Sequence, residues 1–142
     1  MNNLSFHITD ITANSIRANA SEIGLSVEEQ DTRIVIRITD NGLGMDAETA
    51  RRVTNPFYTT RTTRKVGLGL PFLIQNAEQT GGSVTLTSEP GKGTKVRAVF
   101  HSDHIDCPPW GDLPGTVALL ITGNPEINVC FEYRSGETGY SI

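Results

Sequence analysis

The 142-residue chain has the length of one ordinary domain, and with 37% hydrophobic residues it can bury a core, which excludes a disordered tail. A formal charge of -4 argues against a phosphate-tracking surface, so nucleic acid is not the expected partner. The longest purely apolar run, Val117 to Ile121, is far short of the ~20 residues of a membrane span, and Met1-Asn2-Asn3 lacks the layout of a signal peptide, so the chain reads as soluble and cytoplasmic.

From Ser5 to about Ala20 the spacing predicts a helix, with Leu4, Ile8, Ile11, Ser15 and Ala18 on one stripe. His7, Asp10, Asn14 and Arg17 also follow helical spacing and read as an opposite, polar stripe. Solvated faces favour Glu, Lys, Gln and Arg, whereas Asp and Asn are poorer helix formers, so this stripe is a candidate functional face. Ile23, Leu25 and Val27, then Ile34, Ile36 and Ile38, alternate with polar residues around a polar turn and predict a hairpin with one buried face. Asp46 is placed to cap a short helix running through Val53, followed by a polar, basic, Thr-rich segment over 54–66. Helical spacing returns at Leu68 to Thr80, with Leu70, Leu73, Ile74 and Ala77 as its stripe and Gly81-Gly82 ending it. Ser83 to Glu89 and Thr94 to Phe100 predict two further strands joined by Pro90-Gly91-Lys92-Gly93. The pattern specifies a two-layer α/β sandwich, a mixed and mainly antiparallel sheet with helices over one face.

After residue 100 the character changes, and residues 101–142 read as an extension of a 1–100 domain. It comprises a Pro-bearing connector at Cys107 to Trp110, a short helix near Asp112 to Thr122, a strand at Ile127 to Tyr133, and a return strand that is either an edge strand or cut short. Cys107 and Cys130 have no metal-ligand spacing and read as reduced thiols.

Chemistry concentrates in a few places. Asp40-Asn41-Gly42-Leu43-Gly44-Met45 puts a carboxylate at a strand end before two glycines that permit close backbone approach, the signature of a small-molecule pocket whose best-fitting occupant is a nucleotide. Gly67 and Gly69 precede a helix whose amino terminus offers free N–H groups to phosphates. Arg51, Arg52, Arg61, Arg64 and Lys65 crowd one stretch of an acidic chain, as a solvated loop or as a phosphate clamp.

Asp10-Ile-Thr-Ala-Asn14-Ser-Ile-Arg17, Asp40-Asn-Gly42-Leu-Gly44-Met45, Asn55-Pro-Phe57-Tyr-Thr-Thr60-Arg61, Gly67-Leu68-Gly69-Leu70 and Gly91-Lys-Gly93-Thr94 resemble, in order, the motifs of the GHKL ATPases, the Bergerat-fold superfamily of gyrase, heat-shock chaperone, histidine kinase and MutL. The resemblance covers about residues 4 to 100 and is to histidine kinases from Pro56 to Thr94 and to MutL from Asn14 through the hairpin. It implies ATP and Mg2+ as cofactors: Asp40 accepting the adenine amino hydrogen, Gly42 and Gly44 clearing space for base and sugar, Asn14 supplying a neutral oxygen to Mg2+, and Arg17 within reach of a phosphate. It further implies a phosphate cradle at Gly67 and Gly69, a bond from Thr94 to Asp40 or its water, and a short ATP lid between Phe57 and Gly67 with Arg61, Arg64 and Lys65 facing the outer phosphates. Met45, Phe57, Thr60, Leu68 and Leu70 complete the nucleotide-binding set. Asp10 occupies the place of a catalytic Glu one methylene longer, where a displacement near 1 Å can cost ~100-fold in rate. His7 matches no phosphoacceptor motif and is assigned to the pocket rim or surface. Three functions compete: a kinase-like enzyme transferring the γ-phosphoryl to a partner in trans, an ATP-gated switch that recruits a partner with little turnover, and a slow ATPase.

Overall fold

The computed structural model describes residues 3–45, 69–105, 107–135 and 138–141, with the side chains of 69–72 and 138–141 outside that description. The proposed cap at Asp46, its helix to Val53, and Phe57, Thr60, Arg61, Arg64, Lys65, Gly67 and Leu68 lie outside the described residues.

In chain order the elements are α1 (Leu4–Arg17), β1 (Glu22–Gln30), β2 (Arg33–Asp40), α2 (Gly69–Gln79), β3 (Ser83–Glu89), β4 (Gly93–His101), α3 (Leu113–Gly123), β5 (Asn128–Ser135) and β6 (Thr138–Ser141). The strands form one sheet in the order β3-β4-β2-β1-β5-β6. The β1–β2, β2–β4, β3–β4 and β5–β6 pairs are antiparallel, and β1–β5 is parallel. This is the mixed, mainly antiparallel sheet that alternation at Ile23 to Ile38 and Ser83 to Phe100 specifies.

One face of the sheet carries the three helices of the described residues. Leu25, Val27, Ile34, Ile36, Ile38, Val96, Ala98, Phe100 and Phe131 alternate toward Leu4, Ile8 and Ile11 of α1, Leu73 and Ala77 of α2, and Leu113 and Val117 of α3. Removing this apolar surface from water is the main term that holds the layers together. The chain after β4 continues the same sheet and core: β5 pairs with β1, and the connector before α3 supplies the carbonyls of Pro109 and Trp110 to the first N–H groups of α1, at Leu4 (2.8 Å) and Ser5 (3.0 Å). Asn3 caps the same helix end through Oδ1, which accepts from the Phe6 N–H. Two orphan donors of α1 are thus satisfied by a segment more than a hundred residues away.

Two sequence expectations change. Ala18 and Ile74 are only half-buried, while Asn76 and Thr80 are buried on α2. His7 is not at a rim or on the surface: it is 1% exposed, its ring stacked 6.4 Å from that of Phe100 and its Nε2 2.7 Å from Asn76 Nδ2. The reason is geometric. At 3.6 residues per turn His7 falls between Leu4 and Ile11 on the inner side of α1, and the amide of Asn76 gives it a polar neighbour there.

Candidate nucleotide-binding site

The best-organised polar group on the helical side of the sheet is Asp40, the last residue of β2. Oδ2 accepts from Ser15 Oγ at 2.6 Å and Oδ1 accepts from the Gly42 N–H at 2.8 Å. Ser15 lies on the buried stripe of α1, so helix packing and the carboxylate fix one another. With one donor on each oxygen, Asp40 keeps lone pairs for a further donor such as an exocyclic amine.

The loop after Asp40 is pinned from both sides. Asn41 Oδ1 accepts from the Ser21 and Glu22 N–H groups, each at 2.9 Å, Leu43 N–H donates to the Ala18 carbonyl at 2.8 Å, and Gly91 N–H donates to the Leu43 carbonyl at 2.7 Å. Met45 N–H donates to Ser88 Oγ at 2.8 Å, and that hydroxyl lies 2.9 Å from Thr94 Oγ1. Thr94 pairs in register with Asp40 across β2 and β4, but its hydroxyl engages Ser88 instead of the Asp40 carboxylate. Thr94 sits at a strand start whose neighbouring strand, β3, already presents a hydroxyl. Ser88 was not legible as a site residue: a serine in an alternating strand carries no signal until the β3–β4 register is known.

Both glycines also answer to contacts within the protein itself. A Cβ on Gly42 would come 2.8 Å from the Ala18 carbonyl oxygen, and Gly44 has φ +72°, where a Cβ would fall 1.9 Å from the Glu89 carbonyl oxygen. The space a side chain would need is filled by the protein's own backbone, so Gly42 and Gly44 let the loop close onto α1 and the β3–β4 turn. The Asp40 loop is packed against backbone on both sides as a result.

Asp10, Asn14 and Arg17 do share one face of α1. Arg17 Nη2 donates to Asn14 Oδ1, and Arg17 opposes the rise that burial produces in the Asp10 carboxyl pKa. The amide oxygen assigned to a cation therefore accepts from a guanidinium and keeps one lone pair. Among the described residues no group of three or more His, Cys, Asp or Glu side chains is placed to hold a metal ion. A single neutral amide oxygen still suits Mg2+ bound mainly through nucleotide phosphates and water. Gly69 opens α2, as the glycine pattern specifies, and Leu70 follows in its first turn. A cavity of about 10 Å³ lined by His7, Ile11, Ile38, Leu73 and Val96 separates α1, α2 and the sheet, room for roughly one water. No helix among the described residues is long and apolar enough to cross a membrane.

Residues 3–104 match the family of histidine kinase-, DNA gyrase B- and HSP90-like ATPases. A putative sensor protein of Shewanella frigidimarina is 32% identical over 97 residues, covering 66% of this chain and 15% of that protein. The sensor histidine kinase YxdK of Bacillus subtilis is 29% identical over 104 residues, covering 68% of this chain and 32% of the kinase. Sporulation kinase C of the same bacterium is 30% identical over 101 residues, covering 70% and 23%. The chain thus spans about a third or less of these relatives. The crystal structure of the N-terminal domain of a DNA repair protein superposes with TM-score 0.62 at 17% identity, covering all of this chain and 52% of that one, a likeness of fold. With a family match that takes in both the Asp40 loop and the polar face of α1, the chain belongs to the histidine kinase-, DNA gyrase B- and HSP90-like ATPases.

Proposed function

We propose that this histidine kinase-like ATP-binding domain binds ATP with Mg2+ and passes the γ-phosphoryl to a side chain of a partner protein in trans. The observation that carries the reading is the Asp40 carboxylate, oriented by Ser15 and the Gly42 N–H at the start of a loop bonded to α1 and to the β3–β4 turn. In this reading Asp40 accepts from the adenine amino group, Asn14 holds the cation, and Arg17, released from Asn14, pairs with a phosphate. Bound there, Mg2+ would neutralise phosphate charge during transfer. The same reading assigns the phosphates to Gly67 and Gly69 and their outer end to Arg61, Arg64 and Lys65. The compartment fitting this reading is the cytoplasm.

A switch with little turnover is favoured by one feature. Asp10 has a carboxyl pKa raised by burial and a side chain one methylene shorter than the Glu that would orient an attacking water. Incubation with γ-labelled ATP and a candidate partner separates the readings. Label on the partner is expected; free phosphate instead identifies an ATPase, and neither product identifies a switch. Asn14→Ala is expected to abolish Mg-dependent binding, and survival of that binding would remove the assignment of the amide as ligand.

A further inference from the structure

Asn41 is the one asparagine of the chain followed directly by glycine, and it stands next to Asp40 where β2 ends. In an Asn-Gly pair the glycine has no Cβ to hinder its backbone nitrogen from approaching the preceding side-chain amide. Attack there is the ordinary route of asparagine deamidation. The Gly42 N–H gives up its proton, the nitrogen bonds to Asn41 Cγ, and Nδ2 departs as ammonia, leaving a five-membered succinimide ring. Water then opens the ring at either carbonyl to give aspartate or isoaspartate. The net change is amide plus water to carboxylate plus ammonium.

The fold engages both reacting groups. Asn41 is exposed, yet its Oδ1 accepts from the Ser21 and Glu22 N–H groups and its Nδ2 donates to Ser21 Oγ, all at 2.9 Å. The amide is thereby tied to the chain entering β1. The Gly42 N–H donates to Asp40 Oδ1 at 2.8 Å, and Gly42 is buried against the Ala18 carbonyl. Removing its proton would set an anionic nitrogen against a carboxylate, which the charge of Asp40 opposes. Two donors on Oδ1 would favour attack by a free nitrogen, as in an oxyanion hole, but the Gly42 nitrogen is engaged.

We propose that Asn41 is a latent modification site, protected while the Asp40 loop is closed and hydrolysed by water when the loop opens. The isoaspartyl product disables the loop, because the main chain then runs through the former side-chain carbon and gains one atom between Asp40 and Gly42. The Gly42 N–H then loses its place on Asp40 Oδ1 while the Leu43 N–H stays on the Ala18 carbonyl. The aspartyl product keeps the main chain and an oxygen for the Ser21 and Glu22 N–H groups. This inference rests on the bonds of the loop alone and is independent of the nucleotide reading.

The test is peptide mapping by mass spectrometry after incubation of the folded chain, and of the same chain in urea, at one mildly alkaline pH. Conversion at Asn41 is expected to be the fastest among the asparagines in urea and at least about tenfold slower in the folded chain, where reaction requires local opening. Ser21→Ala takes one bond from the Asn41 amide, and Asp40→Ala frees the Gly42 N–H. Each is expected to raise the ratio of folded to unfolded rate by at least about threefold. Circular dichroism confirms that each variant folds; Ser21 is exposed, so Ser21→Ala carries the test alone should Asp40→Ala fail to fold. After refolding, the isoaspartyl chain is expected to have a lower urea midpoint than Asn41→Asp. Equal rates in the folded chain and in urea, an unchanged ratio in either folded variant, or equal midpoints for the isoaspartyl chain and Asn41→Asp would each overturn the proposal.

Discussion

Ser15 shows how a residue can be both core and site. It was legible as part of the buried stripe of α1, yet its hydroxyl is what orients Asp40, because the stripe passes over the end of β2. Periodicity reports which way a side chain faces and not what it meets, so the role of Ser15, like that of Ser88, appears only once strands and helix are superposed. Ser15→Ala is expected to leave Asp40 short of one donor and to weaken adenine-nucleotide affinity by roughly 1 kcal/mol, a several-fold change in a calorimetric titration. Unchanged affinity in a folded variant would mean that Gly42 alone orients the carboxylate. The places of Asp40 at a strand end and of Asn14 and Arg17 on one helical stripe were legible from spacing, whereas the bond from Arg17 to Asn14 was not.

Between elements, the buried pair His7–Asn76 joins α1 to α2. Burial lowers the His7 pKa from 6.5 to about 4, so the unfolded chain binds a proton that the folded chain resists. Below about pH 6.5 the unfolded state therefore gains protons first, and folding stability is full above that pH, declines as pH falls toward 4, and levels off beneath it. The loss over this window is on the order of 3 kcal/mol at most. Urea midpoints measured across the window should follow this slope in the wild type and flatten in His7→Leu. A flat wild-type profile would contradict the burial. Helical spacing placed His7 beside Asp10 and Asn14 because all are polar, whereas packing places it with Leu4 and Ile11. A polar residue at the edge of an apolar stripe goes inward when a neighbouring element offers it a partner, and Asn76 lies sixty-nine residues away.

At the scale of the molecule, sheet, layers and element order follow from alternation and helical spacing, since each strand hides one face and each helix one stripe. The position of the C-terminal strands does not follow. Nothing local in Asn128 to Ser135 says that it runs parallel to β1 and delivers Phe131 to the central core. Phe131→Ala is expected to cost about 3–5 kcal/mol and to lower the midpoint of one cooperative unfolding transition. A separate early transition would show instead that this segment folds by itself. Nucleotide recognition in this reading depends on an acidic acceptor fixed at the end of β2. The most direct measurement is calorimetric titration of a non-hydrolysable ATP analogue with magnesium into the wild type and Asp40→Asn. The expected result is one site per chain, weakened by at least about tenfold in the variant while the fold is retained; equal affinity in the two proteins, or no binding to the folded wild type, would contradict it.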